Sequence, residues 1–233
     1  MIKKHIPNCI TCCNLLSGCI AIIWAVSGHF ALALQFIILG AVFDFFDGMS
    51  ARLLHVSSPI GKELDSLADV VTFGVAPSFM VCIWMKEAGM YEWLWLLPML
   101  MAAFSALRLA KFNLDERQTM GFIGLPTPAN ALFWGSLISS MSDTLIQNTF
   151  PQLAPILMVV MLVSCYLLVS EIPMFALKFK HLGWEGNQVR YLFLISCVPL
   201  LLFLGIIGIA AVILWYVILS IVVPHKYIDG NAQ

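Results

Sequence analysis

Long apolar stretches separated by short polar connections are the dominant pattern of the chain. A helix needs about 20 mostly apolar residues to cross the hydrocarbon core of a bilayer. The run from 190 to 224 is too long for one crossing, and we divide it at the Gly205–Gly208 region. The pattern therefore predicts eight membrane-spanning helices, at about 9–28, 30–53, 63–85, 91–112, 126–146, 154–177, 190–206 and 208–224.

Composition supports this prediction and excludes a water-soluble fold. Of the 233 residues, 61% are hydrophobic and 11% are charged, and the mean hydropathy is +0.94. A soluble domain is roughly 45–50% apolar and about 25% charged. We expect an all-α, polytopic transmembrane helical bundle that forms a single integral membrane domain over residues 1–233. The first apolar stretch lacks a small-residue cleavage site, so it is predicted to be a membrane helix and not a signal peptide.

The basic residues predict the orientation of this bundle. Lys and Arg accumulate in short cytoplasmic loops of membrane proteins. With eight helices and a cytoplasmic N-terminus, Lys86 alone of the 12 Lys and Arg residues is placed outside. Both termini are then cytoplasmic. The residues placed on the cytoplasmic side are Lys3, Lys4, Arg52, Lys62, Arg108, Lys111, Arg117, Lys178, Lys180, Arg190 and Lys226.

The second and third predicted helices carry four aspartates, which is unusual inside a membrane. A charge near the bilayer centre costs at least about 2.5–3.5 kcal/mol. The helical period places Asp44 and Asp47 on one face with Arg52, and Asp65 and Asp69 on one face of the next helix. The connection between the two helices is short, so they run antiparallel. We therefore expect the four carboxylates to converge near the cytoplasmic surface.

Four clustered carboxylates repel one another, so positive charge must compensate them. Arg52 can supply one charge, and one or two divalent cations can supply the rest. Carboxylate oxygens suit Mg²⁺, Mn²⁺ or Ca²⁺. Spacing alone also leaves open a proton or ion pathway, or an ion-pair lock between helices.

The same residues form a motif of fixed spacing. Its first part is Asp44-Phe-Phe-Asp47-Gly48-Met-Ser-Ala51-Arg52, and after eight residues its second part is Gly61-Lys-Glu-Leu-Asp65-Ser-Leu-Ala-Asp69. This resembles the signature of the CDP-alcohol phosphotransferase family, with every defined position and the gap matched. Further stretches resemble the bacterial, membrane-type members that use serine as the acceptor. These stretches are 6–15, 107–113, 122–129 and 169–178.

The resemblance implies the reaction. In it, L-serine attacks CDP-diacylglycerol, giving phosphatidylserine and CMP. Asp44, Asp47 and Asp65 would hold divalent metal ions, Mg²⁺ or Mn²⁺, two in each active site. Asp69 would also touch a metal and act as the general base on the serine hydroxyl. The family expectation further includes a homodimer in the inner (cytoplasmic) membrane with its active site facing the cytoplasm, and no nucleic acid partner.

The resemblance also implies where the cytidine nucleotide binds. Gly48, Ala51 and Arg52 would receive it, and Ser58 is a candidate phosphate contact. Thr11 is a further candidate contact for CDP-diacylglycerol.

Four other polar residues have two interpretations each. Asn14, like Thr11, either contacts the nucleotide or serves helix capping and packing. Arg108 and Lys111 either bind the lipid phosphate or the serine carboxylate, or serve only to orient their helix. Glu171, within the predicted sixth helix, needs a partner, and an ion pair is preferred to a role in binding the serine ammonium.

The alternatives to serine transfer are of three kinds. The same chemistry could use glycerol 3-phosphate, inositol phosphate or choline. A phosphorylated acceptor needs additional basic residues, and the sequence offers only Arg108 and Lys111, with Lys178 or Lys180 as a further candidate. This favours a zwitterion such as serine. The second alternative is a cation transporter, whose ion site we would expect near the midplane and not near one leaflet. The third is a structural scaffold, which leaves the four intramembrane aspartates unexplained.

Overall fold

The computed structural model describes residues 5–56, 58–114, 122–141, 153–175, 183–184 and 187–223, and these residues are almost entirely helical. The α-helices are α1 Ile6–Val26, α2 Phe30–Leu53, α3 Pro59–Asp69, α4 Ala76–Glu87, α5 Leu100–Leu114, α6 Thr127–Met141, α7 Leu153–Val169, α8 Gln188–Leu204 and α9 Ile207–Val222. A π-helical segment, Val70–Val75, joins α3 to α4, and a 3₁₀ segment, Leu94–Met99, leads into α5. Two short strands are β1 Phe122–Ile123 and β2 Pro173–Met174.

The all-α prediction is confirmed. Within the described ranges, four continuous helical stretches are long and apolar enough to cross a membrane, namely Ile6–Val26, Phe30–Leu53, Pro59–Glu87 and Leu94–Leu114. Helices α7, α8 and α9 are apolar but shorter. Apart from the sixth, each predicted span coincides with a helical stretch at nearly the predicted position. The predicted ends at 142–146, 176–177 and 224 lie outside the described residues. The topology residues Lys3, Lys4, Arg117, Lys178, Lys180 and Lys226 also lie outside them.

The division of the last apolar run is confirmed. Helix α8 ends at Leu204, and Gly205 follows it with a φ of +61°. Pro199 does not break α8 and lies within it. The left-handed backbone conformation that ends the helix is one that glycine adopts without steric cost.

The predicted sixth span, 154–177, is wrong at its C-terminal end. Helix α7 ends at Val169, and β2 pairs antiparallel with β1. Pro173 explains the early end, because proline cannot donate a backbone hydrogen bond and disfavours helical geometry in the residue before it. Glu171 therefore lies outside the helix and is exposed to the surface of the fold, so it does not need the buried partner that we expected.

Close packing of α1 against α2 and the π-helical segment supports the polar end of α2 and α3. Helices α1 and α2 share the most extensive contact between any two elements of the described chain. A Cβ at Gly18 would overlap Thr72, and a Cβ at Gly40 would lie 2.5 Å from the Thr72 methyl group. Two glycines thus allow three helical segments to approach directly beside Asp69, the last residue of α3.

Candidate active site

Helices α2 and α3 bring three of the four aspartates together. One carboxylate oxygen from each of Asp44, Asp47 and Asp65 lies within 4.8 Å of the other two. Asp47 is buried, and the other two side chains are half-buried. The carboxyl groups of Asp44 and Asp65 lie close enough to repel each other when both are ionised. The antiparallel arrangement expected from the short connection therefore produces a real cluster of oxygen atoms.

Asp69 lies beside this cluster and is not part of the three-residue group. It is one turn beyond Asp65, is 8% exposed, and lies within electrostatic range of Asp44 and Asp65. The Nδ2 atom of Asn14 donates a hydrogen bond to its Oδ1 atom, at 3.0 Å. Asp69 thus lies outside the three-residue group and is held by Asn14, whereas Thr11 holds Asp47 within it.

The three-residue group fits a divalent cation. Asp65 Oδ1 is buried and has no hydrogen-bond partner in the described part of the chain. Two ionised carboxylates that face each other, as Asp44 and Asp65 do, need a cation or a proton between them. Three carboxylates provide the oxygen ligands that Mg²⁺ and Mn²⁺ prefer. Arg52 is exposed, and its Nε atom donates to Gly48 O at 3.0 Å.

A cleft of about 270 Å³ opens beside the carboxylates. Its walls come from α1, α2 and the start of α3, and include Asp47, Gly48, Ala51, Gly61 and Asp65. A Cβ at Gly48 would meet no atom within 4 Å, so this part of the wall is open. Most of the fixed positions of the sequence motif therefore face one cavity that a ligand can enter.

Two polar residues predicted to contact the ligand also line the cleft. Thr11 Oγ1 donates to Asp47 Oδ2 at 2.6 Å, and it lies 3.0 Å from Pro7 O. Ser58 caps the N-terminus of α3, where its Oγ atom accepts a hydrogen bond from Gly61 N at 3.0 Å. Thr11 therefore orients a carboxylate, and Ser58 starts the helix that carries Asp65.

Arg108 and Lys111 lie one turn apart on α5 but have different environments. Arg108 is 7% exposed, and its Nη1 atom donates to Thr127 Oγ1 at 2.9 Å. Its Nε atom is buried and has no partner among the residues described. Lys111 is exposed, and its Nζ atom lies 3.4 Å from Val169 O at the C-terminal end of α7. Only Arg108 therefore keeps buried hydrogen-bonding capacity for a ligand.

Contacts between α3 and α5 place these basic residues at the same end of the bundle as the carboxylates. Lys62 Nζ donates to Asn113 O at 3.0 Å, and Asn113 Nδ2 donates to Ser66 Oγ at 2.8 Å. These contacts, like that of Thr72 with α1, were not predicted from the sequence. A single threonine or asparagine within or beside an apolar stretch gives no distinctive signal.

Comparison with known proteins agrees with this geometry. The family model described as CDP-alcohol phosphatidyltransferase matches residues 4–223. A Bacillus subtilis protein named CDP-diacylglycerol–serine O-phosphatidyltransferase is 39% identical over 128 residues, which are 54% of this chain and 70% of that protein.

Two further relatives carry the same name. The Helicobacter pylori J99 protein is 36% identical over 132 residues, with 54% of each chain covered. The Methanocaldococcus jannaschii protein is 33% identical over 154 residues, with 66% of this chain and 70% of the relative covered. The matched part thus covers from 54% to 70% of the length of these relatives. Because the family model matches nearly the whole chain, the chain belongs to the CDP-alcohol phosphatidyltransferase family.

Proposed function

We propose that this membrane protein transfers the phosphatidyl group of CDP-diacylglycerol to L-serine, giving phosphatidylserine and CMP. The observation that carries the proposal is the group of three carboxylates at the wall of a cleft lined by the family motif. The names of the relatives from Bacillus, Helicobacter and Methanocaldococcus support serine as the acceptor.

The carboxylates account for the metal requirement. Asp44, Asp47 and Asp65 would hold Mg²⁺ or Mn²⁺. Asp69, one turn beyond Asp65 and within electrostatic range of the group, is the proposed further ligand of a second ion. When bound, the divalent cation neutralises the pyrophosphate and stabilises the departing CMP. Thr11 supports this arrangement because its hydroxyl group fixes one oxygen of Asp47.

Asp69 is the proposed general base. The serine hydroxyl oxygen attacks the phosphorus of the phosphatidyl phosphate, and a new phosphorus–oxygen bond forms. The bond from that phosphorus to CMP breaks, and CMP leaves with the electron pair. The hydroxyl proton passes to Asp69. A positioned carboxylate is needed because a serine hydroxyl is a poor nucleophile at neutral pH.

The cleft beside the carboxylates is the proposed nucleotide site. Gly48 and Ala51 line it, and the absence of a side chain at Gly48 lets a nucleotide approach the α2 backbone. Arg52, exposed one turn after Gly48, can reach a phosphate from the rim. Ser58 lines the same cleft, although its Oγ atom already accepts the Gly61 N–H group.

Arg108 is the proposed binding residue for the serine carboxylate. A buried cation without an adjacent anion is costly, and a substrate carboxylate would compensate it. Arg108 is buried and has no carboxylate within hydrogen-bonding distance among the described residues, although it lies within electrostatic range of Asp69. Lys111 is not a buried cation, because its ammonium group is exposed and caps α7. A single buried cation suits serine better than a phosphorylated acceptor.

The remaining features of the proposal concern the whole protein. We propose a single domain over residues 1–233, inserted in the cytoplasmic membrane with both termini and the cleft on the cytoplasmic side, and acting as a homodimer. The distribution of Lys and Arg supports the orientation. A C-terminal green fluorescent protein fusion should fluoresce, whereas a C-terminal alkaline phosphatase fusion should be inactive. The reverse pattern would contradict the orientation.

The decisive experiment measures CMP release by the purified protein with CDP-diacylglycerol and Mn²⁺ or Mg²⁺. L-serine, glycerol 3-phosphate, inositol phosphate and choline are compared as acceptors. We expect release with serine, lost in Asp69→Asn and kept in the control Glu63→Gln, which alters an exposed carboxylate of the same helix. Release with another acceptor alone would keep the chemistry and overturn the substrate. No release from folded protein with any acceptor would overturn the proposed function.

A further inference from the structure

Asn14 contacts the proposed general base and does not face the nucleotide cleft. Its side chain is 0% exposed, and its Nδ2 atom donates to Asp69 Oδ1 at 3.0 Å. Thr11, one turn earlier on α1, lines the cleft, whereas Asn14 lies deeper and behind it. The sequence-based prediction that Asn14 contacts CDP-diacylglycerol is therefore not the interpretation that the geometry favours.

The backbone of Asn14 is held by the segment that follows Asp69. Thr72 Oγ1 donates to Asn14 O at 3.0 Å, and Thr72 is fully buried in the π-helical segment. The close approach at Gly18 and Gly40 prevents either helix from shifting past Thr72. A Cβ at Gly40 would also lie 3.0 Å from Asn14 Oδ1. The amide group of Asn14 thus has a fixed position relative to Asp69.

We propose that Asn14 is a positioning residue for Asp69, and that Thr72 holds Asn14 in place. This inference rests on the proposed function. Asn14 occupies Oδ1 of Asp69 and leaves Oδ2 to accept the proton of the attacking hydroxyl group. A π-helical segment immediately after a catalytic side chain is consistent with this role, since such segments often occur at functional sites.

The proposal predicts an effect on the chemical step and not on nucleotide binding. A proton acceptor must lie within hydrogen-bonding reach of the hydroxyl group, and a displacement of about 1 Å can cost about 100-fold in rate. Loss of the Asn14 donor frees the Asp69 carboxylate to rotate, while the cleft residues stay in place. We therefore expect kcat to fall and affinity for the nucleotide to remain.

The test uses the full-length protein in detergent, with CMP release measured against CDP-diacylglycerol and L-serine. For Asn14→Leu, which keeps the number and branching of the side-chain heavy atoms, and for the smaller Asn14→Ser, kcat should fall by about 10- to 100-fold. KM for both substrates should change less than about twofold, because Asn14 contacts neither substrate in this proposal. The affinity for CDP, measured by calorimetry in the presence of Mn²⁺, should also change less than about twofold. Ser17→Ala is the matched control, since Ser17 is a buried residue of α1 whose Oγ atom donates to Cys13 O.

A second pair of variants tests the role of Thr72. Thr72→Val removes the hydroxyl group and keeps the shape, so kcat should fall several-fold, while Thr72→Ser should restore it. A loss of CDP affinity in the Asn14 variants with kcat unchanged would make Asn14 a nucleotide contact and overturn the inference. Equal activity of Thr72→Val and wild type would overturn the role of Thr72. Failure of wild type to use serine with any metal would instead refute the proposed function.

Discussion

Two polar regions lie at the same end of the bundle, and they differ in how much bonding capacity the protein leaves for a ligand. The carboxylate region, formed by Asp44, Asp47 and Asp65, opens on a cleft and contains one buried oxygen atom, Asp65 Oδ1, without a partner among the described residues. The basic region, formed by Arg108 and Lys111, mostly bonds to the protein itself.

This difference is our basis for proposing which of these residues bind ligands. Lys111 uses its charge on the C-terminal carbonyl group of α7, which is a structural role. Arg108 donates to Thr127 through one nitrogen, and its buried Nε has no partner among the described residues. The comparison teaches that proximity to the site is a weak criterion, and that unpaired buried polar atoms are a stronger one.

The largest effect is expected in the carboxylate region. Asp65→Asn removes a charged ligand while keeping the shape, so activity should fall by about 1,000-fold or more, as when a main electrostatic stabiliser of the transition state is lost. The rise in unfolding temperature that Mn²⁺ produces in wild type should also be lost, because a cation stabilises only the state that binds it. Removal of metal with EDTA should abolish wild-type activity.

The control for this prediction is Glu63→Gln, on the exposed face of the same helix. It should keep both the activity and the response to Mn²⁺. A normal Mn²⁺ response in Asp65→Asn would show that the three carboxylates do not hold the metal together.

The next effect should come from Arg108. Arg108→Met should raise KM for serine by about 10- to 100-fold, since a hydrogen bond to a charged group contributes about 1.5–3 kcal/mol and 1.4 kcal/mol is tenfold. Discrimination between L-serine and serinol, which lacks the carboxylate, should decrease by a similar factor. Unchanged discrimination in a folded variant would remove Arg108 from the acceptor site and leave its contact with Thr127 as its role.

The sequence predicted the carboxylate region well because its signal is local. Asp44 and Asp47 share one helix and Asp65 and Asp69 the next, so helical periodicity and one short connection determine their convergence. The separate environment of Asp69 was not predictable, because it depends on Asn14, 55 positions away in the chain.

The basic region could not be predicted to the same depth because it depends on contacts across the fold. The pairing of β1 with β2 and the early end of α7 place Val169 next to Lys111. Hydropathy indicated a longer helix there, since residues 170–177 contain several apolar side chains. The positions of the apolar helices were predictable from apolar runs, whereas the exact ends of α7 and α8 depended on Pro173 and on Gly205.

A smaller effect, on stability, is expected at Gly124, which packs against the C-terminal end of α7. Gly124 has a φ of +73°, and a Cβ there would lie 2.8 Å from Leu168 O and 2.9 Å from Ser170 O. Gly124→Ala should lower the free energy of unfolding by about 1–2 kcal/mol from the left-handed conformation alone, and by more from the overlap. Thermal unfolding in detergent measures the change.

Gly89→Ala is the matched control for that variant. Gly89 has a φ of +77°, but a Cβ there would meet no atom within 4 Å. The difference between the two variants therefore isolates the overlap with the end of α7. Equal destabilisation would mean that the contact at Gly124 relaxes without cost.

The smallest effect is expected for Lys111. Lys111→Met removes an exposed cation from the C-terminal end of α7, which should lower stability by about 0.3–1 kcal/mol and leave KM for serine unchanged. Paired with Arg108→Met, it compares two basic residues one turn apart on the same helix. If KM for serine rises in both variants, the acceptor binds between two cations, and a phosphorylated alcohol becomes the better candidate. If only Arg108→Met has this effect, the basic region contains one ligand-binding residue, and the exposed lysine supports the fold beside it.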